Sequence, residues 1–430
     1  MSFQNLLLHS RVLKALEQIG YETPTLIQQK AIPKIVQGFD VRACAQTGTG
    51  KTAAFLLPLL SRLAEPSKKE GKGPRALILA PTRELALQIQ QQVEKYSKAF
   101  SRMRCVCAIG GVAYRIQMRK LSRPYEILIA TPGRLLDYLS EGKIKLSRVE
   151  CLILDEADRM LDMGFEKPVR QIVESCPQTR QTLLFSATLK GPVLKLSEAF
   201  MTKPMEIVVH PEKKAHAHIE QALYFADSIN HKNQMLFRLL DNSERGDVVI
   251  FTATKRHADH LAKELRDMEY QVAALHGDMS QSRRTRTLKK LKEGKVDVTV
   301  ATDVAARGLD IDTITHVINF DLPQSPEDYV HRIGRTGRAG RSGFAISFVS
   351  KKDRGMLSRI EQYTGHSIAP STLEGLEPKE RAKSSPQKKG PPKNFKKRSK
   401  PGNFKPKRFD RFNKRKQIRG KKTFAKKAKK

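Results

Sequence analysis

From about Leu26 to Val209, short apolar runs alternate with segments whose apolar positions recur every three or four residues. "RALILA" (75–80), "EILIAT" (126–131), "VECLILD" (149–155) and "QTLLFSAT" (181–188) are continuous rather than alternating, which predicts strands buried on both faces. Each is followed by a segment of helical period, so the pattern predicts an α/β domain with a largely parallel sheet. The stretch 210–221, "HPEKKAHAHIEQ", is polar and lacks apolar periodicity. A second series follows it: "DVVIFTAT", "QVAALHG", "VDVTVATD", "THVINFD" and "GFAISFVS", with helical segments such as "ADHLAKELRDM" between them. The expected organisation is a first α/β domain over 1–209, a linker over 210–220, a second α/β domain over 221–370 and a tail over 371–430.

The tail differs in kind. Residues 379–430 carry 24 Lys and Arg against two acids, Glu380 and Asp410, with almost no aliphatic side chains. Such a segment cannot bury enough apolar surface to offset its ordering entropy, and it is predicted to be disordered. Phe395, Phe404, Phe409, Phe412 and Phe424 punctuate it. Cations for phosphates and rings for bases describe a sequence-tolerant RNA tether, and a solvated solubility tail is the alternative.

Charge narrows the partners. The 430 residues carry a net charge of +36, about +14 of it outside the tail, so both parts face a polyanion: nucleic acid or an anionic membrane surface. No apolar run approaches the roughly 20 residues needed to span a bilayer. The leading "MSFQNLLLHSRVLKAL" is interrupted by His9 and Arg11 and does not read as a signal peptide. The expectation is a soluble cytoplasmic protein with no membrane partner. The five cysteines form no CxxC pair, and Cys105 and Cys107 alternate as neighbours on one strand face do. They read as buried reduced thiols.

"AQTGTGKT" (45–52) lies between the short strand "VRACA" and an apolar helix expected to begin at Thr52. This is a phosphate-loop layout, with Ala45 where the strict pattern has glycine. Backbone N–H groups from Ala45, Thr47, Gly48, Thr49 and Gly50 cradle phosphates, Lys51 reaches the terminal ones, and Thr52 ligates Mg²⁺. "LILDEAD" ends a buried strand on Asp155, placed to hold Mg²⁺ partly through water, with Glu156 placed to polarise an attacking water. Taken alone, either motif reads as an ordinary turn; together they define an ATPase. "HRIGRTGRAGR" (331–341) packs four arginines and a histidine into eleven residues, a density a compact fold tolerates only against an anion.

"DEAD" (155–158), the phosphate loop, "SAT" (186–188) and "HRIGRTGR" (331–338) together resemble the DEAD-box family of ATP-dependent RNA helicases, in the family's order over about residues 3–350. The resemblance implies two tandem RecA-like domains that use ATP and Mg²⁺ and act on RNA. It implies catalytic roles for Lys51, Glu156 and the arginine fingers Arg335 and Arg338. In "GYETPTLIQ" (20–28), Gln28 would read the adenine edge and Phe3 would stack on the base. RNA-backbone contacts are implied at Thr82 and Arg83 of "PTRELALQ", at Gly110 beside Gly111, and at Thr131 and Arg134 of "TPGR". In the second domain Arg256, Gln281, Arg284 and Thr302 would face RNA and Asp310 the ATP ribose. Ser186, Thr188, Asp303 and Arg307 would couple the domains.

The layout, with "RMLDMGF" after the acidic motif, is similar to bacterial helicases of ribosome assembly and RNA turnover. It implies a monomer acting on structured, ribosomal RNA, with ribosomal-protein or RNA-degradation partners. Two rivals stand beside this reading. A DNA-directed helicase would be stimulated by DNA as well as RNA, and a non-catalytic RNA clamp would tolerate Glu156→Gln.

Overall fold

The computed structural model describes residues 2–46, 48–67, 71–100, 103–189, 191–209, 218–241, 246–306, 313–337 and 341–379. The first lobe carries strands β1 (Val41–Cys44), β2 (Ala76–Leu79), β3 (Cys105–Ala108), β4 (Ile127–Ala130), β5 (Cys151–Leu154), β6 (Gln181–Ser186) and β7 (Met205–Val208). Their order is β3-β4-β2-β5-β6-β1-β7, and the pairings are parallel.

The continuous apolar runs have a direct structural counterpart. Successive strand residues point to opposite faces, so Ile78, Ile129, Ile153 and Phe185 enter one helix-covered core while Leu79, Leu128, Leu154 and Leu184 enter the other. Each such side chain contributes about 1.5–3 kcal/mol by leaving water. A polar residue at any of these positions would face apolar packing on either side.

The second lobe repeats the plan with β8 (Ile219–Phe225), β9 (Asp247–Phe251), β10 (Val272–Leu275), β11 (Val298–Ala301), β12 (Ile314–Asn319), β13 (Gly343–Val349) and β14 (Pro370–Ser371). Their order is β10-β11-β9-β12-β13-β8-β14. β8 begins inside the polar stretch, and with only Ile219 and Leu223 of its seven residues buried it lacks a continuous apolar signature. Packing also outlasts the change of composition near Pro370. β14 pairs with β8, Leu373 and Leu376 pack on the lobe's core, and the Lys379 amide donates to Asp227. Residues 380–430, including the tail phenylalanines, lie outside the described residues. Among the described residues no helix is long and apolar enough to cross a membrane.

Topology positions the site. β5, β6 and β1 are adjacent, so the loops that leave their C-terminal ends, carrying the DEAD, SAT and phosphate-loop residues, emerge side by side. That edge of an open parallel sheet is where ligands bind.

Candidate active site and nucleic-acid face

The phosphate loop runs from β1 into the helix Lys51–Ala64, which begins one residue before the expected Thr52. Gly48 and Gly50 adopt φ of +88° and +90°, a conformation that side chains rarely accept. A Cβ on Gly50 would also come within 2.5 Å of the Gln28 amide nitrogen. Lys51 is buried, its ammonium donating to the Ala45 carbonyl at 2.9 Å, while Thr49 Oγ1 donates to the Gln46 carbonyl at 2.7 Å. Thr52 is half-buried at the second position of the helix. Thr47 lies outside the described residues.

Gln28 is fully buried and bonded within the chain. Its Oε1 accepts from the Thr25 amide at 3.0 Å, and its Nε2 donates to the Tyr21 hydroxyl at 2.7 Å and to the Gly50 carbonyl at 3.1 Å. Both amide hydrogens are thereby engaged, and the side chain acts as a tie between the 20–28 segment and the phosphate loop. Phe3 is also buried, its ring 5.0 Å from that of Tyr21.

Asp155 closes β5 at 3% exposure. Burial pushes its carboxyl up to about 7, against the opposing pull of Lys51 and with the help of the neighbouring Glu156 charge. Its Oδ1 accepts from the Glu156 amide at 3.0 Å. Glu156 itself sits in the left-handed region at φ 52°, uncommon for a residue with a side chain and a mark of functional sites. Two positive-φ glycines, a buried ammonium and a carboxyl that ionises reluctantly without a cation fit a nucleotide polyphosphate with Mg²⁺. Mg²⁺ commonly takes one or two protein oxygens and completes its shell with phosphates and water. Asp155 and Thr52 are the residues placed to supply them.

Asp158 joins this motif to the next loop. Its Oδ2 accepts from the amides of Ala187 at 3.1 Å and Thr188 at 3.2 Å, and Ser186 Oγ accepts from the Thr188 amide at 3.3 Å. The SAT loop is thus tied to the DEAD segment by hydrogen bonds to a buried carboxylate.

In the second lobe the arginine-rich loop divides its labour. Arg332, 2% exposed, forks onto Asp303 at 2.6 and 2.7 Å, reaches Asn319 at 3.1 Å and lies 4.8 Å from the centre of the Phe251 ring. One of the four cations thus has its anion inside its own lobe. Arg335 donates through Nε to the His331 carbonyl at 3.1 Å. With His331, Glu327 and Tyr363 it lines a cavity of about 80 Å³ whose opposite wall is Gln46, Ala187 and Thr188 of the first lobe. Arg307, Asp310 and Arg338 lie outside the described residues. A second interlobe cavity, of about 530 Å³, is lined by Asp158 and Arg159 on one side and Asp303, Asp328 and His331 on the other, with Arg159 paired to Asp328 across it.

The residues assigned to RNA fall into three settings. Thr82 accepts from the Leu85 amide at 3.2 Å and caps the helix Arg83–Tyr96, and the Arg83 guanidinium covers Gly110 and Gly111, where a Cβ would meet it at 3.0 and 2.2 Å. Thr131 occupies the N-cap position of the helix Pro132–Ser140 without a side-chain capping bond, and Arg134 lies over the Tyr138 ring at 5.6 Å. Gln281 and Arg284 cross the cleft to Glu84: Arg284 approaches its carboxylate at 2.6 Å and Gln281 at 3.4 Å, while Arg83 donates to Gln281 at 3.4 Å. Arg256 is exposed, and Thr302 is half-buried at the start of the helix Asp303–Ala306. The sequence reading missed Gln117. It is buried on the helix Tyr114–Leu121 and clamps the glycine loop by accepting from the Ile109 amide and donating to the Ile109 and Val112 carbonyls at 2.9–3.1 Å. Its one sequence signal is a polar residue on the inner face of a short helix.

Two parallel α/β lobes, a phosphate loop beside a buried acidic strand end, and a basic loop from the second lobe facing both define a tandem RecA-like phosphate-loop NTPase. Comparison with known proteins narrows the class. Residues 25–196 match the DEAD/DEAH box helicase family and residues 231–340 the helicase conserved C-terminal domain. The ATP-dependent RNA helicase SrmB of Haemophilus influenzae is 42% identical over 93% of this chain and 90% of its own length. The DEAD-box ATP-dependent RNA helicase CshA of Bacillus cereus is 43% identical over 88% of this chain and 72% of its own. Among solved structures, S. cerevisiae Dbp5 bound to RNA and ADP BeF3 superposes with a TM-score of 0.76 at 32% identity, covering 86% of this chain and 95% of Dbp5. Mss116p bound to ssRNA and AMP-PNP gives 0.78 at 31% identity, covering 87% and 81%. The chain belongs to the DEAD/DEAH box helicase family and is an ATP-dependent RNA helicase.

Proposed function

We propose that the protein separates short RNA duplexes locally, by closing its two lobes on one strand in a step coupled to ATP. The observation that carries this reading is the small cavity in which Arg335 and His331 of the second lobe face Gln46, Ala187 and Thr188 of the first. A nucleotide held by Lys51, Thr52 and the loop amides would present its terminal phosphate toward that wall. Arg335, with Arg338, then meets charge that develops there, and Glu156 orients and polarises the attacking water. Asp155 and Thr52 would hold Mg²⁺, which would supply charge neutralisation to the phosphates. Asp158, Ser186 and Thr188 on one side and Asp303 with Arg307 on the other transmit lobe closure to this centre.

RNA runs across both lobes, gripped through its backbone by Thr82, Arg83, Gly110, Thr131 and Arg134 and by Arg256, Gln281, Arg284 and Thr302. Because nucleotide and RNA both bridge the lobes, each raises affinity for the other through one closing element. Arg284 lies against Glu84, so a phosphate gripped by Arg284 would compete with that carboxylate. Base-pair stacking, at about 1.4 kcal/mol per step, sets the reach: opening five pairs costs roughly 7 kcal/mol, within what one closure offsets. Thirty pairs are not within reach.

The substrate we favour is structured ribosomal RNA met by a monomer in the cytoplasm, a reading that rests on the 42% identity between this chain and its Haemophilus relative. Strand displacement on duplexes of graded length, with ATP turnover measured beside it, tests the reading. Single-stranded RNA should stimulate turnover and DNA should not, and displacement should fall off steeply with length. Equal stimulation by DNA would return the DNA-directed rival.

A further inference from the structure

We propose that the helix Tyr114–Leu121 extends the RNA track of the first lobe, with the Tyr114 ring as a platform on which a base of the single strand stacks. The inference rests on the reading above, in which the RNA backbone passes Gly110 and Arg134.

Ten large hydrophobic side chains are exposed among the described residues, and two of them, Tyr114 at 41% and Ile116 at 49%, sit on this eight-residue helix. A solvated helix has no need of either. The charge on the helix itself is one-sided: Arg115, Arg119 and Lys120 are exposed on it and Arg123 just beyond it, and it carries no acid, the nearest carboxylate being Glu141, which takes the Tyr114 hydroxyl. Rings among cations are what a sequence-tolerant grip on single strands requires, stacking for bases and ammonium or guanidinium groups for phosphates. Arg115 and Arg119 are four residues apart and share a face.

The platform is continuous with the backbone contacts and rigid. Tyr114 lies three residues beyond Gly111, and Gln117 pins its helix to that loop. The Tyr114 ring packs at 5.3 Å on Tyr138, whose own ring carries the Arg134 guanidinium at 5.6 Å. The Tyr114 hydroxyl donates to Glu141, which fixes the ring while leaving it open to solvent. A base leaving the Arg134 grip would meet this ring next.

The test is the affinity of the full chain, with a non-hydrolysable ATP analogue, for a fluorescent oligouridylate and for the same strand with abasic sites. Tyr114→Ala should weaken binding of the intact strand by about 5- to 150-fold, the range for one stacked base. Tyr114→Phe should keep most of the affinity, and thermal unfolding of each variant reports on folding. On the abasic strand Tyr114→Ala should lose little, because the base it would have stacked is gone. Equal losses on both strands, or wild-type affinity in Tyr114→Ala, would overturn the platform. Arg134→Ala separates the two layers: if it weakens binding while Tyr114→Ala does not, the backbone reading stands and the platform fails. If neither change weakens binding, both fail.

Discussion

Asp155 shows what one residue at the end of a doubly buried strand has to tolerate. Its carboxyl, pushed up to about 7 mainly by burial, stays protonated in the folded metal-free protein over a range where the unfolded chain has already ionised. The sign follows. Between pH about 4 and about 7 the folded state holds the extra proton, so this group's contribution to stability is full below pH 4 and lost as pH rises through 7. Three pKa units set a ceiling of roughly 4 kcal/mol. Asp155→Asn should therefore raise the melting temperature of the nucleotide-free protein at pH 8 and barely change it at pH 4, while abolishing ATP turnover. A melting difference independent of pH would contradict the assignment of burial as the cause. Motifs such as this one were legible because their members are contiguous. The internal bonding of Gln28 was not, since its partner Gly50 lies 22 residues away and only the folded chain brings them together.

At the scale of elements, the apolar runs gave β2, β4, β5 and β6 to within a residue or two, because strands buried on both faces leave little freedom in composition. Edge elements are less legible: β8 buries only two of its seven residues, and β14 is two residues long. Contacts between elements are least legible of all. Arg159 follows the DEAD motif and Asp328 lies in the first turn of the helix Pro326–Ile333, 169 residues later, yet the two pair across the interlobe cavity. Arg159 is almost fully buried there, so loss of Asp328 leaves its charge, among the described residues, only the exposed Asp162 at 4.0 Å. Arg159→Ala and Asp328→Ala should each weaken ATP-dependent RNA affinity, and the double variant should be no worse than the poorer single one. The coupling expected of a shared contact is about 0.5–3 kcal/mol. A double-mutant cycle on RNA affinity measures it, and strictly additive losses would mean the pair does not hold the lobes together.

For the whole molecule, the first sheet carries the phosphate, DEAD and SAT loops at strand C-terminal ends, whereas the arginine-rich run of the second lobe ends the helix Pro326–Ile333 ahead of β13. The sequence shows the loops; it does not show that Arg332 is an internal fastener while Arg335 is presented to the first lobe, since both sit in one basic run. That division bears on the problem posed by four clustered arginines: Arg332 has its anion in Asp303, and Arg335 lines a cavity whose far wall is Gln46, Ala187 and Thr188 of the first lobe. The account therefore hangs on Arg335 and is tested most directly by ATP turnover of Arg335→Ala at saturating RNA, with Glu156→Gln beside it. The expected result is a loss on the order of 10³-fold or more for Arg335→Ala, as for other arginine fingers. Glu156→Gln should instead persist as a long-lived complex with ATP and RNA. Normal turnover by Arg335→Ala would contradict the account.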